Sequence, residues 1–308
     1  MHLAEGTLPL GQAIAWSAVA LPALVWSIRG EQRARRDTAS SSIVMAGVTS
    51  LLFAVTLLPL PVPVVGATSH ICLTPVLALV IGVRRIIWPT FFVLLLQAMF
   101  FAHGGLTTLG VNTLTLGLLG PLTAVGLWAI VQRLGADNAF GLALACGLGS
   151  LSVYVGDAVV LAIALTDVAA PMTTFTGVLL GFAPVQVPLS VLEAVVSVGI
   201  VRLLATRRPD FLPASLHRLR RASVSGVSIA MIALVTAGLS GCSYEGIDGS
   251  VFGATAESAG RPPIDSIVDL SQGEVGLAMS ILILFGLGFV AGRSWERMLA
   301  GRRDALPR

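Results

Sequence analysis

Residues 106–131 read LTTLGVNTLTLGLLGPLTAVGLWAIV and contain no charged side chain. An apolar run of this length is typical of a helix that crosses a lipid bilayer, which needs about 20 apolar residues. The rest of the chain has the same character, since 55% of its 308 residues are hydrophobic and 11% are charged, with a mean hydropathy of +0.90. We therefore predict an all-α polytopic membrane protein.

Nine apolar segments follow one another along the chain. They are Leu10–Ile28, Ser42–Val62, Ile71–Val83, Ile86–Ala102, Leu106–Val131, Ala139–Leu165, Thr176–Leu204, Val224–Leu239 and Val275–Ala291. The third is short for a span and is predicted to be a broken or buried helix, which is tolerated at membrane depth where protein covers it. The pattern predicts a seven-span body (1–208), a basic cytosolic linker (209–223) and a two-span hairpin (224–308) with an acidic external loop.

The arginines predict the orientation of these spans. All 19 basic residues are arginine, and nine spans with an external N-terminus put every one except Arg261 on the cytosolic side. Cytosolic loops of membrane proteins carry such an excess of positive charge. We therefore expect a multi-pass protein of the bacterial plasma membrane, with its N-terminus external and its C-terminus cytosolic.

The first six residues, MHLAEG, contain a candidate metal chelator. The α-amine of Met1, the deprotonated amide of His2 and the imidazole of His2 can close two small rings on one metal ion. Three coplanar nitrogens suit late first-row ions such as Ni²⁺, Cu²⁺ and Co²⁺. The N-terminus also lacks the basic start of a cleavable signal peptide, so Met1 is expected to stay on the protein.

Two more histidines are predicted at the same membrane face. His70 ends the turn VPVVGATSH, where proline and glycine force irregular backbone, and His103 lies at the external end of the fourth segment. Neutral imidazole is the commonest protein ligand for such metals. His217 lies in the cytosolic arginine cluster and is expected to be solvated.

Polar residues within the spans should face the bundle interior, because they are costly in lipid. Gln97 and Asn112, with Thr68 and Ser69 beside His70, are candidates for lining or supporting a metal site. For Gln97 and Asn112, hydrogen bonding between helices is an equal alternative. Asp157 and Glu193 could pair with each other or contact a partner subunit.

No enzyme motif is present in the sequence: it has no HExxH, GxSxG, CxxC or Walker lysine loop. The chain is therefore not expected to be an enzyme, to hold a permanent cofactor or to bind nucleic acid. Any ATP hydrolysis would have to come from a partner.

MHLAEG, GATSH, LLLQAMFFAHGGLTTLGVNT, VQVPLSVLEAVVS and RRPDFLP resemble, in this order, motifs of the CbiM/NikM family. That family is the substrate-binding membrane component of energy-coupling factor (ECF) transporters for cobalt and nickel. The resemblance implies a seven-helix bundle whose N-terminal segment folds into the membrane core. It implies a metal held by the Met1 amine, the His2 amide and imidazole, and His70, with His103 and Asn112 lining or supporting the site.

The resemblance also implies partners. In the family, a coupling membrane protein (CbiQ-like) and a dimer of cytosolic ATPases (CbiO-like) drive uptake. The C-terminal hairpin is similar to the two-span accessory component CbiN, so the chain resembles a natural fusion of the two.

The transported ion is predicted to be Co²⁺, for cobalamin biosynthesis, with Ni²⁺ as the close alternative. A planar nitrogen set favours nickel, whereas the MHLAEG start, the TSH turn and the tail are more similar to the cobalt branch. The sequence is also compatible with two functions of a different class. One is a secondary transporter driven by an ion gradient through Asp157 or Glu193, and the second is a non-transporting scaffold with incidental histidines.

Overall fold

The computed structural model describes residues 2–37, 41–57, 60–62, 67–101, 103–136, 138–166, 169–221, 257–258 and 260. Most of these residues are helical. The α-helices are α1 (Leu10–Asp37), α2 (Ser41–Leu57), α3 (Thr74–Ile81), α4 (Val83–Phe100), α5 (Leu109–Leu114), α6 (Gly120–Arg133), α7 (Ala139–Ala164) and α8 (Pro171–Arg207).

A π-helical turn, Thr115–Leu119, joins α5 and α6 into one continuous helix of 25 residues. Pro121 has no N–H to donate, so regular pairing fails just before it and the helix widens by one residue. When this segment is counted as one, the described residues up to 207 form seven α-helical segments. The predicted all-α body is confirmed.

Several of these helices are long and apolar enough to cross a membrane. Among the described residues they are Leu10–Asp37, Val83–Phe100, Leu109–Arg133, Ala139–Ala164 and Pro171–Arg207, with the shorter apolar helix Ser41–Leu57 beside them. Many large apolar side chains on these helices point outward, including Leu10, Ile14 and Leu180. An outward apolar face suits lipid and not water, so the chain is an integral membrane protein.

Helix α3 lies inside the bundle and packs against α4, α6 and α7. Seven of its eight residues are buried, and Val76, Leu77 and Ala78 belong to the main hydrophobic core. The segment 71–83 thus contains the short buried helix that its sequence predicts. Its N-terminus follows directly on the loop that carries His70.

A small antiparallel hairpin precedes this loop. Strand β1 (Leu60–Val62) pairs with β2 (Ala67–Ser69), with Leu60 opposite Ser69 and Val62 opposite Ala67. The apolar pattern predicts that the second segment continues to Val62 as helix, but α2 ends at Leu57. Proline at 59, 61 and 63 removes three backbone donors, so a helix cannot continue through this stretch.

The C-terminal part of α1 is joined to the start of α4 by an ion pair and a hydrogen bond. Glu31, which is 3% exposed, accepts hydrogen bonds from Arg35 and Arg85, and the Arg85 Nη2 to Glu31 Oε2 distance is 2.8 Å. Arg84 donates to the carbonyl of Trp26 at 2.9 Å. At 1.5 Å per residue, Glu31 lies about 30 Å along α1 from Leu10.

After α8, the chain turns back in two 3₁₀ segments, Pro209–Phe211 and Ala214–Arg221. Leu212, Leu216 and Leu219 are buried there, and His217 is exposed and bonds through Nε2 to the carbonyl oxygens of Pro209 and Leu212. This part of the predicted linker therefore packs on the bundle. The predicted hairpin spans and nearly all of their acidic loop lie outside the described residues.

Candidate metal centre

Three histidines from distant parts of the sequence meet at one end of the bundle. His2 precedes α1, His70 follows β2, and His103 follows α4. Their ring centroids are 4.7 Å apart for His2 and His70, 4.8 Å for His2 and His103, and 5.3 Å for His70 and His103. One ring nitrogen from each can be chosen so that all three lie within 4.8 Å of one another. A single ion could therefore contact more than one imidazole.

The cluster is shielded from the surroundings. His2 is 1% exposed and His70 is 2% exposed, while His103 is half-buried. Within the part of the chain that the structure describes, neither ring nitrogen of His2 has a hydrogen-bond partner. Buried polar atoms in proteins are almost always paired, so this arrangement indicates a site that takes a ligand.

The tautomer of His70 follows from its neighbour. Its Nδ1 lies 3.2 Å from the carbonyl oxygen of Ile71. A carbonyl only accepts, so Nδ1–H donates this bond and the lone pair of the neutral ring is on Nε2. This is the usual arrangement of a metal-binding imidazole, in which the opposite nitrogen is fixed by a backbone carbonyl.

The imidazoles of His2 and His70 favour the neutral form that binds metal. Both residues lie in non-helical segments, outside the membrane-spanning helices. Burial lowers the pKa of His2 well below its ordinary value of 6.5, and the proximity of His70 and His103 lowers it further. Burial likewise lowers the pKa of His70, with a smaller contribution from His103. Desolvation penalises a charged ring, so both rings are neutral at pH 7.

Side chains in α5 and directly before it bind the backbone of the N-terminal segment. The Asn112 side-chain carbonyl accepts from Leu3 N–H at 2.9 Å, and its amide donates to Leu3 C=O at 3.1 Å. The Thr108 hydroxyl donates to the same carbonyl at 2.7 Å, and Leu3 itself is fully buried. These bonds fix the residue next to His2.

A second set of contacts joins Glu5 to the loop after His103. Thr107 N–H donates to Glu5 Oε2 at 3.1 Å, and Gly6 N–H donates to the Thr107 hydroxyl at 3.3 Å. A Cβ at Gly105 would lie 2.6 Å from Glu5 Cα and 2.8 Å from Glu5 N. Gly104 has φ +79°, which favours glycine. The Gly-Gly pair thus lets the N-terminal segment pack against the loop that carries His103.

The loop after His70 is held by α8. Cys72 N–H donates to Glu193 Oε2 at 3.0 Å, and Leu73 N–H donates to Glu193 Oε1 at 2.8 Å. Leu73 has φ +56° and directly precedes α3.

A small cavity with room for about one water molecule adjoins His2. It is lined by His2, Cys72, the three threonines Thr56, Thr74 and Thr90, and the apolar residues Leu52, Val93, Leu94 and Leu116. The Thr74 hydroxyl has no partner within the described residues. His2 therefore borders a small void whose accessible surface is apolar.

The remaining predicted site residues are placed as follows. Gln97 donates from Nε2 to the Thr56 hydroxyl at 2.7 Å, so its side chain joins α4 to α2. Its backbone carbonyl accepts from Phe101 and His103 and ends the helix just before the histidine. Ser69 is buried directly beside His70, and the backbone of Thr68 pairs in β2. Met1 and the Thr68 side chain lie outside the described residues.

Sequence reasoning missed three residues that shape this site. They are Glu5, Thr107 and Thr108. Thr108 could have been found from its spacing, because it lies four residues before Asn112 on one helical face. Glu5 is the only carboxylate of the N-terminal segment before α1, which is a weaker signal. Thr107 carries no signal in the sequence.

The sequence resembles known transport proteins along most of its length. Residues 2–211 match the model of the CbiM family, described as the cobalt uptake substrate-specific transmembrane region. A cobalt transport protein CbiM of Geobacter sulfurreducens is 32% identical over 315 residues, covering 98% of this chain and 91% of the relative. A second CbiM cobalt transport protein, from Sorangium cellulosum, is 37% identical over 212 residues, covering 69% of this chain and 94% of the relative.

Two solved structures have a similar fold. A crystal structure of a truncated transition metal transporter superposes with a TM-score of 0.58 at 19% identity, covering 67% of this chain and 98% of the other. A second transition metal transporter superposes with a TM-score of 0.57 at 17% identity. The family match covers more than half of the chain and includes every α-helix from α1 to α8, so the chain belongs to the CbiM family of substrate-specific transmembrane components.

Proposed function

We propose that this chain captures Co²⁺ at the external face of the membrane, as the substrate-specific component of an ATP-driven ECF-type importer. The observation that carries the proposal is the buried cluster of His2, His70 and His103, whose nitrogens lie within 4.8 Å of one another. The names of the CbiM relatives, which are cobalt transport proteins, support the choice of ion.

The proposed ligands are the α-amine of Met1, the amide and imidazole of His2, and the Nε2 of His70. Nitrogen donors of this kind suit the late first-row divalent ions. His103 lies against both rings and is proposed to line the site. Asn112, Thr108 and Glu5 hold the N-terminal segment so that His2 stays in the cluster.

The proposed topology places the site outside and the arginine-rich ends of the helices in the cytosol. Energy would come from a CbiQ-like coupling protein and a CbiO-like ATPase dimer, since the sequence has no nucleotide-binding motif. The imported cobalt would serve cobalamin biosynthesis. Residues 224–308 would act as a fused CbiN-like accessory part.

The test is the metal content and affinity of the detergent-purified protein, with Co²⁺ and Ni²⁺ titrated separately. We expect one ion per chain in wild type, and an affinity loss of at least about 100-fold in both His2→Ala and His70→Ala. His217→Ala is the matched control, because its side chain is exposed and lies on the 3₁₀ segment after α8; it should bind as wild type does. Equal metal binding in all four proteins would contradict the proposal.

The choice between ions and between driving forces needs two further comparisons. Tighter binding of Ni²⁺ than of Co²⁺ would make the chain a nickel component with the same site. Uptake in cells should require coexpressed coupling and ATPase subunits. Uptake without them that stops on addition of a protonophore would favour the secondary transporter.

A further inference from the structure

One buried carboxylate close to the candidate metal centre is not part of the proposed ligand set. Glu193 lies in the middle of α8 and is fully buried. A carboxylate in such a place is stabilised only when hydrogen bonds compensate for its lost hydration. Its partners therefore indicate what it does.

Both oxygens of Glu193 bind the loop that follows His70. Oε1 accepts from Leu73 N–H at 2.8 Å, and Oε2 accepts from Cys72 N–H at 3.0 Å. Two consecutive peptide groups are thus bound by one carboxylate from a helix 120 residues away. Both donors are backbone N–H groups, so each carboxyl oxygen of Glu193 acts as an acceptor.

The loop needs this support because its backbone is strained. Leu73 has φ +56° and ψ −11°, a left-handed conformation that residues with a Cβ rarely adopt. Among the described residues it is the only one other than glycine with positive φ. A turn of this kind aims successive N–H groups at one point and makes a concave anion site.

His70 lies two and three residues before the peptide groups that Glu193 binds. Its ring is fixed to the same loop, since Nδ1–H donates to the carbonyl of Ile71 at 3.2 Å. The position of the loop therefore sets where Nε2 of His70 lies relative to His2, 4.7 Å away between ring centroids.

We propose that Glu193 is a positioning residue for the metal site: its carboxylate fixes the left-handed turn at Leu73 and thereby holds His70 in ligating position. This inference rests on the proposed function, because it assigns Glu193 a role toward a metal that His70 binds. It also makes α8, which continues to Arg207, the element to which the His70 loop is attached.

The experiment compares Glu193→Gln with wild type in three measurements: Co²⁺ affinity, the visible absorption of bound Co²⁺, and thermal unfolding of the metal-free protein. Glutamine keeps the size of the side chain but has one acceptor oxygen, so one of the two N–H groups loses its partner. We expect Co²⁺ affinity to fall about 10- to 100-fold and the d–d bands to change, because the ligand geometry is altered.

Glu31→Gln is the matched control. It makes the same change at another buried carboxylate, which lies about 30 Å along α1 from Leu10, toward the end of α1 away from the segment that carries His2. It should lower the unfolding temperature and leave both the affinity and the absorption of bound Co²⁺ as in wild type. This separates positioning of His70 from a general contribution to stability.

Each outcome decides for or against the positioning role. Glu193→Gln with unchanged affinity and absorption overturns it, even if the unfolding temperature falls. Wild type that fails to bind Co²⁺ or Ni²⁺ at all overturns the proposed function and this inference together. If Glu193→Gln does not accumulate, Glu193→Asp replaces it, because it keeps both carboxyl oxygens and withdraws them by one methylene. The aspartate variant should bind Co²⁺ more weakly with altered absorption, and wild-type values for it would also overturn the proposal.

Discussion

Asn112 pairs with both backbone groups of Leu3: it accepts from the N–H at 2.9 Å and donates to the C=O at 3.1 Å. The side-chain amide of Asn112 thus satisfies both backbone groups of Leu3, as a neighbouring strand would in a sheet. Leu3 directly follows His2, so this pair of hydrogen bonds fixes the position of the candidate ligand.

Asn112→Asp is expected to weaken Co²⁺ binding about 10- to 100-fold. Aspartate has the same shape but cannot donate to the Leu3 carbonyl, and it adds a buried charge. Isothermal titration with Co²⁺ measures the change. Asn138→Asp is the control, because Asn138 caps α7 by accepting from Gly141 N–H and aspartate is an equally good N-cap. Equal affinity of the two variants would contradict a role for Asn112 at the site.

Gly105→Ala is expected to abolish measurable binding, or to weaken it at least about 100-fold. The new methyl group would lie 2.6 Å from Glu5 Cα, which is backbone and cannot turn aside, so the N-terminal segment must move. Gly126→Ala in α6 is the control, because a Cβ there meets nothing within 4 Å. Loss of binding in both variants would point to damage from any added methyl group and not to this contact.

The sequence predicts the helical body because apolar runs between arginine clusters leave few alternatives in a bilayer. It also predicts the shared face of His2, His70 and His103, because the predicted topology puts each histidine at a span end on the same side of the membrane. Helix α3 is an intermediate case: at eight residues it is too short to span, and its burial followed from its apolar composition.

The contacts that build the site could not be predicted in this way. Leu3 and Asn112 are 109 residues apart, and Leu73 and Glu193 are 120 apart. Periodicity reports which face of a helix is apolar, but it carries no information about which polar residue meets which backbone group. The left-handed turn at Leu73 was equally hidden, because leucine gives no signal of positive φ. The sequence predicts that Glu193 faces the interior, and it does, but its backbone partners needed the structure.

His103→Ala is expected to weaken Co²⁺ binding by about tenfold, against at least about 100-fold for His70→Ala. His103 lies against both other rings, with centroid distances of 4.8 Å to His2 and 5.3 Å to His70, and we propose that it lines the site without ligating the ion. Titration of both variants with Co²⁺ gives the ratio of their affinity losses. Equal losses would instead make His103 a third imidazole ligand.

Lowering the pH from 8 to 6.5 is expected to weaken Co²⁺ binding at least about tenfold, because the ion must displace protons from its ligands. Burial lowers the pKa of His2 and of His70 below 6.5, so both rings are already neutral across this range and contribute little to the change. The dependence should come from the α-amine, whose ordinary pKa is about 7.7–8.0, and from the His2 amide. Affinity measured at constant ionic strength tests this. A constant affinity from pH 8 to 6.5 would leave imidazoles as the only ligands.

Acetylation of the Met1 amine tests this ligand directly. The chain has no lysine, so an amine-selective acetylating reagent applied to the metal-free protein modifies the α-amine alone. An acetylated nitrogen has no basic lone pair for a metal ion, so we expect Co²⁺ affinity to fall at least about 100-fold. Protein carried through the same steps with hydrolysed reagent is the control and should bind as untreated protein does. Retained affinity after acetylation would exclude the amine as a ligand and leave the histidine cluster as the whole site.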